Sequence, residues 1–183
     1  MGDEGAKKIL PGLTPGFTVI EAVVAMAVFT VVFGGITAAF LSVMRINEKA
    51  RAIRTVEQNV RFVSEFMARE IRNGEVDFSP TGYNGTIPTQ GKVTTLYLKS
   101  ISGETLRIFF ADGKLQLAKG AGTTTLTGND VTISNFLFYI RPTSEGNQDI
   151  ITFSYVISSN TSSQTNRGAS MNVQSTIAAR DYN

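Results

Sequence analysis

A single carboxylate inside a long apolar stretch is the residue whose chemistry is most constrained by its surroundings. Residues 17–44 contain only one charged side chain, that of Glu21. A charge in the hydrocarbon of a membrane costs about 3 kcal/mol at the bilayer centre and less near an end of the span. The residue type and its position therefore predict that a cation neutralises Glu21, and residues 17–44 contain no basic side chain that could supply it.

The composition excludes most other kinds of reactive site. The chain has 183 residues and contains no His and no Cys. Ser-His-Asp and Cys-His nucleophile systems, the usual zinc sites, iron–sulfur clusters and disulfide bonds are therefore excluded. A hydrolase that uses carboxylates such as Asp112 and Asp149 is an alternative, but nothing in the sequence pairs these two acids. We expect no enzyme activity, no cofactor and no metal ion.

The apolar stretch around Glu21 is long enough to cross a membrane. About 20 apolar residues in a helix span the hydrocarbon core, whereas the hydrophobic region of a secretory signal has about 7–15. Residues 22–44 carry no charge at all. We therefore predict a membrane-spanning helix over residues 17–44. Cleavage by a signal peptidase near Ala38 and Ala39 is the alternative.

The helix is predicted to continue beyond the membrane segment. Residues 45–73 contain no Pro or Gly and are rich in helix-favouring Glu, Arg, Ala and Met. Apolar residues recur there every three or four positions, which places them in one stripe on a helix. The stripe comprises Ile46, Ala50, Ile53, Val56, Val60, Val63, Met67 and Ile71. Because Asn73-Gly74 is a C-terminal signal, we predict one helix over about 17–73, with 45–74 as its amphipathic half.

The rest of the chain, residues 75–183, has the pattern of strands. Short segments alternate apolar and polar residues between stretches rich in Gly, Thr, Ser and Asn. The Asp112-Gly113 pair predicts a two-residue hairpin, because Gly accepts a positive φ and Asp tolerates it. The predicted strands are 92–99, 104–110, 114–118, 130–141, 149–158 and 169–179, and the predicted loops are 77–91, 120–128 and 158–168.

These elements together predict an α+β fold. An antiparallel sheet must bury one face, and the helical stripe between Val60 and Ile71 is the apolar surface available to cover it. We therefore expect the C-terminal half of the long helix to pack on an antiparallel sheet of about five or six strands. Residues 17–44 are apolar on all sides, so they must instead contact lipid or other helices.

The residues before and within the apolar stretch resemble a known processing motif. The run Gly16-Phe17-Thr18-Val19-Ile20-Glu21, followed by 14 residues drawn only from Ala, Val, Met, Phe, Thr and Gly, resembles the N-terminal motif of type IV prepilins, a family that includes pilins and pseudopilins. The resemblance implies that residues 1–16 are a cytoplasmic leader. It implies that a prepilin peptidase cleaves after Gly16 and methylates Phe17. It also implies that the Phe17 ammonium of one subunit pairs with Glu21 of a neighbour.

Three features of this sequence depart from the pattern of the family. Pro15 replaces the polar or basic residue common before the Gly, and it restricts the backbone at the cleavage site. Val19 replaces the usual Leu, which is a conservative change. Residues 17–73 also lack the helix-breaking Pro of many major pilins. Local melting on polymerisation would then depend on Gly34-Gly35 and on β-branched residues.

The resemblance implies a structural subunit of a pilus, type II secretion or DNA-uptake machine. A minor pilin or pseudopilin is expected, and residues 131–138 and 174–180 are similar to the larger minor subunits, including the J-type pseudopilins. The expected partners are prepilin peptidase, other pilin or pseudopilin subunits, the assembly platform protein and membrane lipid. We expect the chain in the cytoplasmic membrane, with residues 75–183 exported, and then in an extracellular or periplasmic filament.

The distribution of charge leaves two points open. Lys7 and Lys8 precede the apolar segment while four basic residues follow it between Arg45 and Arg54, which on counting alone places the C-terminus inside. The prepilin motif implies the opposite orientation, and we give it precedence. The seven basic residues of 45–72, against four acidic ones, could bind nucleic acid, but we expect a solvated, salt-bridged face and no direct nucleic-acid partner.

A second function stays open on the residues alone. The chain could be a single-pass, membrane-anchored surface binding module that is not polymerised. Glu21 would then be an interfacial residue whose carboxylate reaches the headgroup region.

Overall fold

The structure is a computed structural model, and it describes residues 16–87, 91–100, 102–142, 148–160 and 168–179. Within these ranges the chain forms one long helix, α1 (Val19–Asn73), followed by strands. The prediction of a continuous helix over about 17–73 is confirmed, with its first residue two positions later. The chain divides into two units, Met1–Met44 and Arg45–Asn183. The proposed leader lies almost entirely outside the described residues.

Two antiparallel sheets form the rest of the second unit. One has the strand order β1-β3-β4-β5-β6 and the other β2-β7-β8-β9. The α+β class, with a long helix and antiparallel strands, is confirmed, but the described strands number nine in two sheets rather than five or six in one. The strands are β1 (Gly74–Val76), β2 (Lys92–Val93), β3 (Thr95–Ser100), β4 (Thr105–Ala111), β5 (Lys114–Lys119), β6 (Gly122–Thr125), β7 (Val131–Arg141), β8 (Ile150–Ser159) and β9 (Ser170–Ala178).

Two of the predicted segments differ from the structure in a way that pairing explains. The single strand predicted at 92–99 is divided at Thr94: β2 pairs with β7 in one sheet, and β3 pairs with β4 in the other. The alternation of burial changes phase at Thr94, because Val93 and Leu96 are both buried although they are three residues apart, so each segment buries side chains within its own sheet. The loop predicted at 120–128 contains β6, whose Thr residues pair with β5 from Lys119↔Gly122 to Gln116↔Thr125.

The hairpin between β4 and β5 is confirmed at the predicted residues. Ala111 pairs with Lys114, so Asp112 and Gly113 are the two loop residues. Their φ angles are 52° and 72°, as a tight hairpin of this kind requires. The carbonyl of Gly113 also accepts a hydrogen bond of 2.8 Å from the N–H of Ile133 in β7, which ties the two sheets together.

The core of the second unit lies between α1 and the two sheets. The helix contributes Val63, Met67 and Ile71, all 0% exposed, to one apolar cluster with both sheets. That cluster includes Leu96, Leu98, Ile108 and Leu115 of the first sheet and Ile133, Phe138, Ile151 and Phe153 of the second. The C-terminal half of the predicted helical stripe is therefore the surface that covers the strands.

The predicted stripe is too long at its N-terminal end. Ile46 and Ile53 are 66% and 38% exposed, and Ala52 is the first residue of α1 that is buried. Helical periodicity indicates only which residues share a face, and it carries no information about where the sheets that cover this face begin. The core therefore uses α1 from Ala52 onward, and the apolar side chains before it remain exposed in the single chain.

Candidate functional site

The N-terminus of α1 is capped, and Glu21 is the third residue of the helix. Thr18 precedes the helix, and its Oγ1 accepts a hydrogen bond of 3.3 Å from the backbone N–H of Glu21. The Thr18 carbonyl accepts the first helical bond, 3.1 Å from the N–H of Ala22. A Thr followed three residues later by Glu is the sequence signature of a capping box. The spacing between Thr18 and Glu21 is visible in the sequence. The prediction that Glu21 pairs with a neighbouring subunit does not include this role in the start of the helix.

The carboxylate of Glu21 lies on the surface of the single chain. Among the described residues it forms no ion pair. An acidic side chain in the first turn is stabilised by the helix dipole by about 0.3–1 kcal/mol. That gain is smaller than the cost of about 3 kcal/mol for a charge deep in hydrocarbon. A cation is therefore still required wherever this turn is removed from water.

Gly16 and Phe17 stand immediately before the capped turn. Phe17 is 72% exposed, and a Cβ placed on Gly16 would meet no atom within 4 Å. Both residues are thus sterically accessible in the single chain. The structure brings Gly16, Phe17 and Glu21 together in one short segment at the start of α1. Cleavage after Gly16, methylation of Phe17 and pairing of Glu21 with a neighbouring subunit stay predictions.

The first half of α1 exposes an uninterrupted apolar surface. Its large apolar side chains from Val19, 83% exposed, to Met44, 47% exposed, have no protein cover. The helix is long enough and apolar enough to cross a membrane, and none of this apolar stretch is buried in the protein. The hydroxyls of Thr30 and Thr37 donate 2.8 Å hydrogen bonds to the carbonyls of Met26 and Phe33. The hydroxyls of these two threonines are therefore satisfied inside the helix, as lipid requires.

Two adjacent glycines lie in the middle of this apolar surface. Gly34 and Gly35 are helical, and a Cβ on either would meet nothing within 4 Å. Packing within the chain therefore does not require glycine at these positions. Each glycine weakens a helix by about 1 kcal/mol relative to Ala. A function outside the single chain, such as local melting or the close approach of another helix, would explain the pair.

The two carboxylates considered for hydrolysis lie on different elements. Asp112 is in the turn between β4 and β5, and Asp149 directly precedes β8. The carbonyl of Asp149 accepts a 2.7 Å hydrogen bond from the N–H of Ala179. Among the described residues there is no group of three or more His, Cys, Asp or Glu side chains that could hold a metal ion.

A third carboxylate, that of Asp77, is buried after β1 and organises a loop. It is 2% exposed. Its Oδ1 accepts a 2.9 Å hydrogen bond from the N–H of Ser79, and its Oδ2 accepts one of 2.9 Å from the Thr105 hydroxyl. A Cβ on Gly82 would lie 2.1 Å from the Asp77 carbonyl oxygen, so this loop closes tightly only with glycine there. Each carboxylate oxygen therefore accepts a hydrogen bond within the protein, which gives the side chain a structural role.

The hydrogen bonds decide the protonation of Asp77. Burial raises the pKa of this carboxyl, but the bonds from Ser79 and Thr105, together with the attraction of Lys99, outweigh burial. The net pKa is below the ordinary value of 3.8. Asp77 is therefore ionised at neutral pH although it is buried.

No protein-family model, curated protein or solved structure matches this chain. Its function must therefore be argued from its own residues and geometry. The N-terminal segment is the candidate functional site, because it combines a sterically accessible Gly16-Phe17 bond, the carboxylate of Glu21 and an uncovered apolar helix.

Proposed function

We propose that the chain is a minor pilin or pseudopilin, a non-enzymatic subunit that is stored in the cytoplasmic membrane and then incorporated in a pilus-like filament. One observation carries the proposal. Glu21 is the fifth residue after Gly16, lies in the first turn of α1, and is the single charge of residues 17–44, whose apolar side chains the protein leaves uncovered. An ordinary membrane anchor gains only the helix-dipole stabilisation of about 0.3–1 kcal/mol from an acidic side chain at that position, which is less than the cost of a charge deep in hydrocarbon.

Processing would provide the missing cation. Cleavage after Gly16 converts the backbone nitrogen of Phe17 into an ammonium group, four residues before Glu21. The Glu21 carboxylate forms no ion pair within the part of the chain that the structure describes, so it is open to such an ammonium. In a filament, the Phe17 ammonium of one subunit would pair with Glu21 of the next. Assembly would then remove the cost of two unpaired charges in a medium of low polarity.

The second unit would be the exported part of the subunit. It has its own core and includes the amphipathic half of α1, so it does not depend on the membrane segment for cover. Residues 1–16 would stay in the cytoplasm as the leader until the prepilin peptidase removes them. The machine would be a pilus, a type II secretion system or a DNA-uptake system, with a platform protein and other pilin or pseudopilin subunits as partners.

The Thr18–Glu21 cap favours a second candidate, a single-pass anchored surface module that does not polymerise. The cap gives Glu21 a place in the first turn, and the helix dipole stabilises its carboxylate near the membrane surface. An unpolymerised anchor would need nothing more from this residue. The two candidates differ in what they require of the Gly16-Phe17 bond and of the Glu21 charge.

Mass spectrometry of the N-terminus tests the proposal directly. The full chain is expressed in cells with an active prepilin peptidase and extracted from the membrane. We expect a chain that begins with methylated Phe17. The Gly16→Leu variant should remain uncleaved, whereas Gly12→Leu, a change of the same kind within the leader, should be cleaved like the natural chain. An intact N-terminus on the natural chain would reject the pilin proposal and leave the anchored module.

A further inference from the structure

β9 has a long outer edge with which no strand of the described residues pairs. β9 is the last strand of its sheet, and it pairs with β8 through nine successive residues without a register shift. Alternate residues of an edge strand direct their N–H and C=O groups away from the sheet. Folded proteins usually protect such edges with charged residues, Pro or a bulge. The sequence of β9, SMNVQSTIA, contains neither charge nor Pro.

A groove runs between this edge and α1. One part, of about 680 Å³, extends along the helix from Arg54 to Glu65 and touches Met171 of β9. A second part, of about 600 Å³, shares Ser64 and Glu65 with the first, continues to Asn73 and touches Ser175. Nine residues of β9 extend about 30 Å, which matches the 20 helical residues from Arg54 to Asn73 at about 1.5 Å each. The groove therefore has the length of one extended segment of about nine residues.

The floor of the groove is an incompletely covered part of the core. Val60 and Ala68 of α1 and Met171 of β9 line the groove and pack against the apolar cluster, but they are only partly buried. A strand added to the edge of β9 would cover these side chains and satisfy the open backbone groups at the same time. This combination is the physical basis of peptide recognition by strand addition.

The charges on the groove wall select the kind of segment. Arg54, Arg61 and Arg72 line the groove, and none of them forms an ion pair among the described residues. Arg69 also lines it, but its guanidinium pairs with Glu70 at 3.3 Å. Glu57 and Glu65 are the acidic side chains of the wall, so the unpaired arginines exceed them. An uncharged strand such as a second copy of β9 would leave these arginines unmatched.

We propose that the groove between α1 and the edge of β9 binds an extended, acidic segment of another protein, which adds to the sheet as a fifth strand. Backbone hydrogen bonds to β9 would provide the register, and acidic side chains facing α1 would pair with its unpaired arginines. This interaction goes beyond the proposed function and does not require polymerisation, because the groove lies wholly within the second unit.

A pair of synthetic peptides tests the charge preference on the full chain in detergent micelles at about 0.15 M salt, where screening limits long-range effects. One is a fluorescent nine-residue peptide that alternates Glu and Val, and the other has Lys in place of Glu. We expect the Glu peptide to bind at least tenfold more tightly by anisotropy, and to slow the hydrogen exchange of β9 amides. Equal affinities, no binding of either peptide, or protection elsewhere in the chain would overturn the proposal.

Matched charge reversals locate the binding surface. Arg61→Glu should weaken binding of the Glu peptide at least tenfold, because Arg61 lines the groove. Arg51→Glu alters another exposed arginine of α1 that is outside the groove wall, and it should change the affinity less than twofold. Because both side chains are exposed, neither change should unfold the protein. Equal effects of the two variants would mean that the peptide responds to total charge, which would contradict the assignment to this groove.

Cysteine cross-linking tests a second copy as the occupant. The chain has no Cys, so Gln174→Cys places a single thiol at the middle of β9. If the edge takes an acidic partner, this variant should give no more disulfide-linked dimer than Thr123→Cys, on the exposed strand β6 of the other sheet. Efficient dimer formation by Gln174→Cys that the Glu peptide does not inhibit would assign the edge to a second copy and reject the acidic partner.

Discussion

The backbone N–H of Glu21 lies 3.3 Å from the hydroxyl oxygen of Thr18, so the cap of α1 uses the backbone of Glu21 and not its carboxylate. The start of the helix therefore depends on the Thr18 side chain, whereas the pairing of the charge depends on the Glu21 side chain. A substitution at Thr18 alters the helix start, and a substitution at Glu21 alters the charge. This separation allows the assembly role of Glu21 to be tested against its local role.

Glu21→Gln should reduce incorporation into filaments without reducing the amount of protein in the membrane. The substitution removes a charge that is costly in lipid, so insertion should be at least as stable. Loss of one member of a buried ion pair costs about 3–5 kcal/mol, and about 1.4 kcal/mol already changes an equilibrium tenfold. We expect at least a tenfold loss from sheared filaments, measured against the total membrane level.

Thr18→Val is the matched control for this experiment. It removes the cap hydrogen bond, at a cost of about 1 kcal/mol to the first turn, but it leaves the carboxylate in place. Its incorporation should stay well above that of Glu21→Gln, and Thr18→Ser should restore the natural level. If Glu21→Gln is incorporated like the natural chain, the charge of Glu21 has no role in assembly, as the anchored-module candidate requires.

The second unit should fold without the membrane segment. A fragment of residues 45–183 keeps every buried residue of α1, so we expect a soluble monomer with mixed helix and strand signals in circular dichroism. A fragment of residues 75–183 lacks Val63, Met67 and Ile71 and exposes the apolar face that they cover. It should aggregate or remain unfolded. A stable monomer of residues 75–183 would contradict the role of α1 as cover for the sheets.

Single substitutions in the 45–183 fragment should separate the buried and exposed parts of the predicted stripe. Met67→Ala removes a side chain that is 0% exposed, and it should lower the free energy of unfolding by about 2–5 kcal/mol. Ile46→Ala changes a side chain that is 66% exposed, and it should stay within about 0.5 kcal/mol of the natural fragment. Chemical denaturation measures both. A large effect at Ile46 would mean that the core extends further along α1 than the structure indicates.

The elements that could be predicted from the sequence are those whose local signals are strong. The long helix follows from the absence of Pro and Gly after residue 35, and the hairpin at Asp112-Gly113 follows from turn chemistry. The strands β1 and β6 could not be predicted in this way, since β1 has three residues and β6 is a Thr run. Their conformation comes from pairing with β3 and β5, which is a tertiary effect.

The candidate site shows the same division. Gly16, Phe17 and Glu21 could be predicted because the motif is contiguous, and so could the Thr18 cap from its spacing to Glu21. The buried carboxylate of Asp77 could not, because its distant partner Thr105 reaches it only when β4 pairs with β3, the neighbour of β1. The groove beside β9 depends likewise on which strand ends the sheet, and periodicity does not contain that information.

Asp77 should make the second unit sensitive to acid. The folded-state pKa of this carboxyl is below 3.8, so the unfolded chain takes up its proton first. The stabilisation is complete well above pH 4 and is lost as the pH falls through the folded-state pKa. At pH 7, Asp77→Asn should cost the 45–183 fragment about 1–3 kcal/mol, because the bonds from Ser79 and Thr105 lose an ionised acceptor.

The pH dependence distinguishes this charge effect from a packing defect. The difference in unfolding free energy between the natural fragment and Asp77→Asn should shrink as the pH is lowered from about 5 to about 3. Asp112→Asn, at an exposed carboxyl in a hairpin that accepts Asn equally well, should show no comparable loss at pH 7. A difference at Asp77 that is constant with pH would reject the ionised, hydrogen-bonded carboxylate and indicate a purely steric change.

Replacement of Gly34 and Gly35 should separate local melting from close helix packing. If α1 must melt locally on assembly, variants with a lower helix propensity should be incorporated better, so incorporation should be highest with Gly, lower with Ser and lowest with Ala. Gly and Ala differ in helix propensity by about 1 kcal/mol at each position. If a neighbouring helix approaches closely, the order should follow side-chain size, and Ser should be at least as harmful as Ala.

We expect the order that local melting predicts, with the double Ala variant incorporated about five- to thirtyfold less than the natural chain, and the double Ser variant in between. The membrane level of each variant should be unchanged, because a Cβ at either position meets no atom of the chain within 4 Å. Ser variants that are excluded more strongly than Ala variants would reject melting and assign the two glycines to a contact between helices.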